Sequence, residues 1–144
     1  MKIKSQQLDD EMSFKLYMLN RLIQQEYQVF LAPLHLTYPQ YLVMKILMEG
    51  DGIPVNMITS RLMLESNTVT PILQRLEKQG LIKRGYSCND QRQRIITLTD
   101  QGKDMRQEIV DVSSLVAESL REKDTSCETA HRLENMLGEL ICKM

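Results

Sequence analysis

The sequence predicts a mainly α-helical single domain over residues 1–144, with six helices and one β-hairpin. Three observations predict it. Apolar residues recur at helical spacing in six segments of the chain. Two short helical segments joined by a tight turn at residues 63–65 lead to a glycine stop at Gly80. Two β-prone segments separated by turn residues then predict a hairpin. Together these features indicate an α+β winged helix-turn-helix fold.

Two helices are predicted in the N-terminal part of the chain. The first spans residues 8–31, carries a broad apolar stripe and ends before Pro33. Thr37 and Gln40 have the spacing of a capping box and open a second helix. That helix is so apolar that we expect it to form the buried centre of the domain. After a break at residues 50–52, a short third helix is predicted to begin at Val55.

Residues 66–79 have the pattern of an amphipathic helix. Ser66 or Asn67 can accept a hydrogen bond from a free N–H of the first turn, so either is predicted to cap the helix. Pro71 is expected in the first turn or just beyond it, where its missing N–H costs least. The inward face is apolar, and the outward face carries hydrogen-bond donors and cations, namely Thr70, Gln74, Arg75 and Lys78.

The hairpin is predicted to have strands at residues 81–86 and 92–98 and a polar tip bearing Arg92 and Arg94. A polar helix face like that of residues 66–79 can lie in the DNA major groove and reach base edges and phosphates. An arginine-bearing hairpin can enter the minor groove or contact its phosphates. The alternative is an ordinary amphipathic helix followed by a surface hairpin.

Thr99 and Asp100 are predicted to cap a long helix that ends near Lys123, and a last helix follows an interruption at residues 124–129. The apolar stripes of residues 8–31 and 100–144 exceed what a small lobe over residues 37–98 can cover. We therefore expect them to be dimerisation helices of a two-fold homodimer. Its recognition helices would face half-sites about one helical turn apart. The alternative is that these helices pack only on their own lobe.

Charge is distributed unevenly along the chain. The net charge is −1, but residues 71–94 contain six cations and two acids, whereas residues 95–144 contain six cations and ten acids. A compact positive segment is typical of a local DNA-contacting surface. No apolar run is long enough to cross a bilayer and the N-terminus lacks a signal-peptide core, so we expect a cytoplasmic protein without a membrane partner.

The residues that usually carry catalysis or bind metals are few and scattered. Cys88, Cys127 and Cys142 show no CxxC spacing, and His35 and His131 are isolated in the sequence. Cys142 falls in the apolar pattern of the last helix, and Cys88 falls in the hairpin tip. We therefore expect no metal site, no cofactor and no enzymatic activity.

Three motifs carry a resemblance to a known family: residues 76–84 (LEKQGLIKR), Asp90-x-Arg92, and Leu98-Thr99-Asp100-x-Gly102. With them, the chain resembles the MarR family of bacterial winged-helix regulators over nearly its full length. The resemblance implies a homodimer on a pseudo-palindromic double-stranded DNA operator, with a recognition helix at residues 66–79 and a wing at 83–97. It also implies that Arg92 works at the wing, held by Asp90. The expected DNA-binding residues are Ser66, Thr68, Thr70, Gln74, Arg75, Lys78, Arg84, Asp90, Arg92 and Arg94.

Within that family the chain is similar to the OhrR-type organic-peroxide sensors. The matching residues are Phe14-x-Leu16-Tyr17, Tyr27 and the segments 36–42 and 68–71. That branch carries a reactive cysteine just before the Phe-x-Leu-Tyr segment, surrounded by tyrosines at the positions of Tyr17, Tyr27 and Tyr38. Here the cysteine position is Ser13. Serine has no redox ladder but has the same shape, so it would mimic the reduced cysteine.

Two accounts of Ser13 stay open: an engineered substitution that locks the reduced form, or a natural regulator that lost or replaced the sensing chemistry. The redox roles of Cys127 and Cys88 stay open as well. The resemblance implies a sequence-specific transcriptional regulator, a repressor, that responds to peroxide as part of an oxidative stress response. One alternative is a MarR-type regulator whose effector is a small aromatic ligand bound by the pocket of Ser13, Tyr17, Tyr27 and Tyr38. Another is a winged-helix module for protein interaction.

Overall fold

The computed structural model describes residue 8, residues 11–123 and residues 128–144. Among these residues, the helices are α1 (Met12–Leu31), α2 (Tyr38–Glu49), α3 (Val55–Leu62), α4 (Ser66–Lys78), α5 (Asp100–Asp104), α6 (Arg106–Lys123) and α7 (Glu128–Lys143). The strands are β1 (Ile53–Pro54), β2 (Ile82–Tyr86) and β3 (Arg94–Leu98), and a 3-10 turn covers Ala32–Leu34. Only Met105 separates α5 from α6, so together they correspond to the predicted long helix. The prediction of six helices with a hairpin wing is confirmed.

The hydrophobic core is centred on α2, as predicted. Val43, Met44 and Leu47 are fully buried, and α4 and the sheet pack their apolar faces around this helix. The predicted capping box is present: the side-chain carbonyl of Gln40 accepts a hydrogen bond from the backbone N–H of Thr37 at 2.8 Å. Within the described part of the chain, Gln40 is the one buried polar residue of the core.

The sheet is antiparallel with the strand order β1-β3-β2. In the hairpin, Ile82 pairs with Leu98 and Tyr86 pairs with Arg94. The short strand β1 was not predicted; it pairs with the other edge of β3, where Ile53 lies opposite Ile96. Asp51, just before β1, accepts a hydrogen bond from the N–H of Leu98 at 2.8 Å. These contacts fix the base of the hairpin against the rest of the lobe.

The base of the wing explains why glycines occur in the motifs around it. Gly80 adopts a φ of 75°, the left-handed conformation predicted for a helix stop. The carbonyl of Leu81 accepts the N–H of Thr99 at 3.0 Å. A Cβ built on Gly102 would lie only 2.1 Å from that same carbonyl oxygen, so a side chain there is excluded. Thr99 caps α5 as predicted, since its hydroxyl accepts the N–H of Gly102 at 3.0 Å.

The start of α4 differs from the prediction. Neither Ser66 nor Asn67 caps the helix, because Glu65 occupies the cap position. The backbone carbonyl of Glu65 accepts the N–H groups of Thr68 and Val69 at 3.0 and 3.1 Å. The helix therefore begins one residue earlier than a Ser66 cap would allow, and Pro71 is its sixth residue, beyond the first turn. The missing N–H of Pro71 removes the intrahelical donor for the carbonyl of Asn67.

The flanking helices are covered far less completely than the lobe. Helix α1 buries only Leu31, and α7 buries no residue. Large apolar side chains of these helices and α6 are exposed, namely Met12, Tyr17, Met18, Leu22, Val29, Val110, Leu115, Met136, Leu140 and Ile141. Across the described residues, no helix is both long and apolar enough to cross a membrane.

Candidate nucleic-acid interface

A groove of about 640 Å³ runs between α4 and the hairpin. Helix α4 contributes Ser66, Thr70 and Gln74 to one wall. The hairpin forms the other wall, and the start of α3 closes the floor. The hairpin residues that line it are Arg84, Asp90, Arg92, Gln93 and Arg94. Seven of the ten predicted DNA-binding residues thus line one concave surface.

The remaining three predicted DNA-binding residues lie on the exposed outer face of α4, namely Thr68, Arg75 and Lys78. The helix has this two-sided character because Val69, Leu73 and Leu76 are buried against the core. The hydroxyl of Thr70 donates to the carbonyl of Ser66 at 2.7 Å, so this polar side chain is held in the first turns of the helix. The exposed face offers hydroxyl, amide and cationic groups, which suit base edges and phosphates.

Arg84 is held by an intramolecular partner that the sequence did not reveal. Its guanidinium contacts the carboxylate of Glu77 at 2.6 Å, and its backbone N–H donates to the same carboxylate at 3.2 Å. The hydrogen bond from Arg84 holds the pKa of Glu77 below its ordinary value, and the charge of Arg94 adds to the effect. Arg84 therefore joins the end of α4 to β2 and fixes the two walls of the groove relative to each other.

The wing arginines are supported by neighbouring residues. Asp90 accepts a hydrogen bond from the backbone N–H of Arg92 at 2.9 Å, so it shapes the turn on which Arg92 sits. The contact is with the backbone, which leaves the guanidinium to project outward. Arg94 lies over the ring of its cross-strand partner Tyr86, with the guanidinium carbon 5.1 Å from the ring centroid. Arg92 and Arg94 are both exposed at the open side of the groove.

The predicted pocket of Ser13, Tyr17, Tyr27 and Tyr38 is only partly assembled within one chain. The rings of Tyr27 and Tyr38 are 4.8 Å apart, and Tyr41, which was not predicted, lies 5.4 Å from Tyr27. Ser13 and Tyr17 are exposed near the other end of α1. Fourteen residues of helix separate Ser13 from Tyr27, which corresponds to about 21 Å.

In the tyrosine cluster, Tyr41 is buried, Tyr27 and Tyr38 are half-buried, and hydrogen bonds hold Tyr41 in place. The hydroxyls of Tyr41 and Ser113 lie 2.6 Å apart, and the ammonium of Lys45 donates to Ser113 at 3.0 Å. Burial, with the neighbouring phenols of Tyr41 and Tyr38 and a hydrogen bond to Tyr41, raises the pKa of Tyr27 to about 12. Burial likewise raises the pKa of Tyr38. These phenols stay neutral at physiological pH and can donate hydrogen bonds.

Cysteines and metal ligands are not gathered into a site in the described part of the chain. Cys88 at the wing and Cys142 in α7 are exposed free thiols, and Cys127 lies outside the described residues. No group of three metal-binding side chains occurs among the residues that the structure describes.

The fold and the groove together define a winged-helix DNA-binding protein. Residues 22–109 match the family model of the transcriptional regulator SarA/Rot. The chain is 36% identical over 115 residues to the organic hydroperoxide resistance transcriptional regulator of Bacillus subtilis, which covers 80% of this chain and 78% of that protein. It is 35% identical over 136 residues to the regulator MgrA of Staphylococcus aureus, over 93% of this chain and 90% of the relative.

Solved structures of AbfR, a protein of Staphylococcus epidermidis, are similar as well. Reduced AbfR bound to DNA shows 34% identity and a TM-score of 0.74, over 95% of this chain and 94% of that chain. AbfR has also been solved overoxidised and bound to DNA, and in a disulfide form. The chain belongs to the MarR/SarA family of winged-helix transcriptional regulators, as the sequence motifs predicted. It is a DNA-binding regulator and not an enzyme.

Proposed function

We propose that this regulator is a homodimeric repressor that binds a pseudo-palindromic operator through two copies of the groove between α4 and the wing. The observation that carries the proposal is the shared surface of Thr70, Gln74, Arg92 and Arg94 in one concave site. Helix α4 would enter the major groove, and the wing would contact the adjacent minor groove or its phosphates. Residues 37–98 would be the DNA-binding lobe, and residues 8–31 and 100–144 the dimerisation helices.

The dimer is supported by the uncovered apolar side chains of α1, α6 and α7. Val29 of α1 and Ile141 of α7 are 66% and 69% exposed, although both side chains are apolar. An isolated chain would leave this surface in water, and a two-fold partner would cover the same surface on both copies. Such a partner would also fix the distance between the two recognition helices, which a palindromic operator requires.

The DNA-contacting residues can be tested by replacing one residue from each wall of the groove. Arg92→Ala should weaken binding to all sequences by about tenfold and reduce the slope of log K against log salt by about one, because one phosphate contact is lost. Gln74→Ala should instead relax discrimination at particular base pairs by about 1–3 kcal/mol. Fluorescence anisotropy over a salt series and a set of single-base operator variants measures both effects. If neither variant changes binding, the groove is not the DNA-binding surface.

We further propose that the regulator is of the peroxide-responsive type and that Ser13 keeps it in a reduced-like, DNA-competent state. Support comes from the identity shared with the hydroperoxide resistance regulator and with AbfR, and from the neutral phenols of Tyr27 and Tyr38. Because Ser13 and Tyr17 lie about 21 Å and about 15 Å along α1 from Tyr27 in one chain, a complete pocket would draw its tyrosines from both protomers.

The chemistry at position 13 can be restored by Ser13→Cys. The thiolate sulfur would attack the terminal oxygen of an organic hydroperoxide, the O–O bond would break, and the leaving alkoxide would take a proton from water to become the alcohol. The sulfur is thereby oxidised to sulfenic acid. Treatment with cumene hydroperoxide should then release the Ser13→Cys protein from DNA and leave the Ser13 protein bound. If both proteins are released, the sensing group is elsewhere in the chain; if neither is, the peroxide proposal is wrong.

The alternative effector is a small aromatic acid. The observation that favours it is the half-buried cation Lys45 beside the tyrosine cluster, since its ammonium lies 5.7 Å from the ring centroid of Tyr41. A carboxylate could bind the ammonium while an aromatic ring packs among the tyrosines. Salicylate titrated against the protein–DNA complex tests this alternative, with Lys45→Met as the variant that should lose the response.

A further inference from the structure

We propose that Gln79 is a positioning residue for DNA binding. Its side-chain amide ties the C-terminal end of α4 to the turn through which α1 enters the winged lobe. The inference rests on the proposed function, because it concerns how a dimer holds its two recognition helices relative to each other.

The link from α4 to α1 is short and direct. Gln79 is the C-cap residue of α4, and its backbone N–H donates to the carbonyl of Arg75. Its side-chain amide donates to the backbone carbonyl of His35 at 2.8 Å. His35 ends the 3-10 turn that follows α1, in a left-handed conformation with a φ of 55°. Immediately after it, the N–H of Leu36 donates to the carbonyl of Leu31, the last residue of α1.

A second contact uses the other end of the same amide. The side-chain carbonyl of Gln79 accepts a hydrogen bond from the amide of Gln40 at 3.5 Å. Gln40 is only 4% exposed, and its own carbonyl is used by the N–H of Thr37. Without Gln79, the buried NH₂ group of Gln40 would lose its protein acceptor, and buried donors are costly to leave unpaired. Gln79 thus connects α4 to both sides of the α1–α2 junction.

The position of this link gives it a specific consequence. Helix α1 belongs to the part of the chain whose apolar side chains a second copy would cover, and α4 bears the groove-lining residues Ser66, Thr70 and Gln74. If α1 and α4 are rigidly connected, the orientation of α1 in the dimer determines how far apart the two copies of α4 lie. Half-site spacing is a geometric property of such an arrangement. Loss of the link should therefore broaden the range of spacings that the dimer accepts.

A purely structural role would show itself differently. If Gln79 only stabilised the fold, its loss would lower thermal stability, because the NH₂ group of Gln40 would lose its acceptor, without changing which operator geometry is preferred. The ratio of affinities for operators of different spacing is the readout that separates the two roles. That ratio is also independent of the base contacts within each half-site, because both operators contain the same half-sites.

The experiment compares wild type, Gln79→Met and Gln79→Glu on three DNA duplexes. The parent duplex is the palindrome recovered by selecting random DNA with the wild-type protein, and the other two have one base pair added or removed between the half-sites. Gln79→Met keeps the length of the side chain and removes the amide. Gln79→Glu keeps an acceptor for Gln40 but cannot donate to His35. Gln107→Met is the matched control, because Gln107 is exposed and bonds only Asp111 within α6 among the contacts described.

Wild type and Gln107→Met should bind the parent duplex at least about tenfold more tightly than either altered duplex, as a coupling of this kind allows. Both Gln79 variants should reduce that preference to about threefold or less while binding an isolated half-site duplex like wild type. Unchanged spacing preference in both Gln79 variants would overturn the inference. The same loss in Gln107→Met would overturn it too. A wild type without spacing preference would refute the dimeric mode of binding itself, and the inference with it.

Discussion

The winged lobe and the flanking helices differ in how completely one chain covers their apolar side chains. In the lobe, α2 buries Val43, Met44 and Leu47 entirely, and a three-stranded sheet closes the core beneath the wing. In α7 no residue is buried, although its apolar positions recur as regularly as those of α2. The proposed DNA-binding surface is therefore built within one chain. In the proposed dimer, the distance between the two surfaces would depend on the partner that covers the flanking helices.

The largest expected effect on the stability of the lobe comes from adding one methyl group at the base of the wing. Gly102→Ala would place a Cβ 2.1 Å from the carbonyl oxygen of Leu81, a contact that backbone atoms cannot relieve without moving the hairpin. We expect a loss of about 4 kcal/mol or more in the free energy of unfolding, despite the better helix propensity of alanine. Urea unfolding followed by circular dichroism measures it.

Gly138→Ala is the matched control for that substitution. Gly138 lies in α7, and a Cβ built there meets nothing within 4 Å in the single chain. Alanine should stabilise this helix by up to about 1 kcal/mol. A Gly102→Ala protein as stable as wild type would show that the close approach at the wing base is not required.

The next substitution is expected to disrupt the proposed dimer contacts of the flanking helices without affecting the winged lobe. Ile141→Glu places a charge on an apolar side chain of α7 that is 69% exposed in one chain. If a second copy covers it, the dimer dissociation constant should rise by at least about 100-fold, because the substitution occurs twice in a two-fold interface. Sedimentation velocity over a concentration series gives this dissociation constant. Because Ile141 lies outside the winged lobe, the free energy of unfolding of the lobe should barely change.

Asn135→Glu adds the same charge to an exposed polar position of α7 and should leave the association state unchanged. Equal dissociation constants for Ile141→Glu and wild type would mean that α7 is not part of the dimer interface.

The smallest effect tests the ion pair that joins α4 to the wing within the lobe. The folded-state pKa of Glu77 is lowered chiefly by the hydrogen bond from Arg84, so the stabilisation is present above the unfolded-state pKa. It is lost as the pH falls through the lowered value. Because the Glu77 side chain is 36% exposed, solvent screening limits the effect to about 1 kcal/mol or less.

Glu77→Gln should therefore reduce stability at pH 7 and flatten its decline at acidic pH, as measured by urea unfolding between pH 7 and pH 3. Arg84→Met should flatten the same region, and the double variant should add little to either, since both substitutions remove one interaction. Additive effects of the two substitutions would show that the residues do not act as a pair.

Much of the fold followed from local patterns, and the differences arise where distant segments meet. The helices, the hairpin and the cap at Thr99 depend on residues that are close in the sequence, so periodicity and capping chemistry predicted them. Strand β1 has only two residues, and its existence depends on pairing with β3 some forty positions later. The cap of α4 was predicted at Ser66 or Asn67, because their side chains can accept the N–H groups of the first turn. In the structure the backbone carbonyl of Glu65 accepts them, and no sequence pattern marks a backbone acceptor.

The candidate site shows the same division. The polar face of α4 and the arginines of the wing could be recognised from the sequence, and the structure brings seven of the ten predicted residues to one groove. The pair of Glu77 and Arg84 was missed, because an acid and a base seven positions apart meet only once the helix and strand are folded together. Tyr41 was missed because an aromatic residue on an apolar helix face looks like ordinary core.

The wing is fixed at one end and open at the other, which has a consequence for how such regulators diverge. At the base, Leu81, Thr99 and Gly102 leave no room for change. At the tip, Cys88 and Asn89 are exposed, and the loop is closed by hydrogen bonds from the N–H of Ser87 to the carbonyl of Gln93 and from the N–H of Gln93 to the carbonyl of Asp90. Substitutions at Cys88 and Asn89 should therefore carry little penalty in folding, so a change of the proposed DNA contacts at the tip would leave the scaffold at the base unaltered.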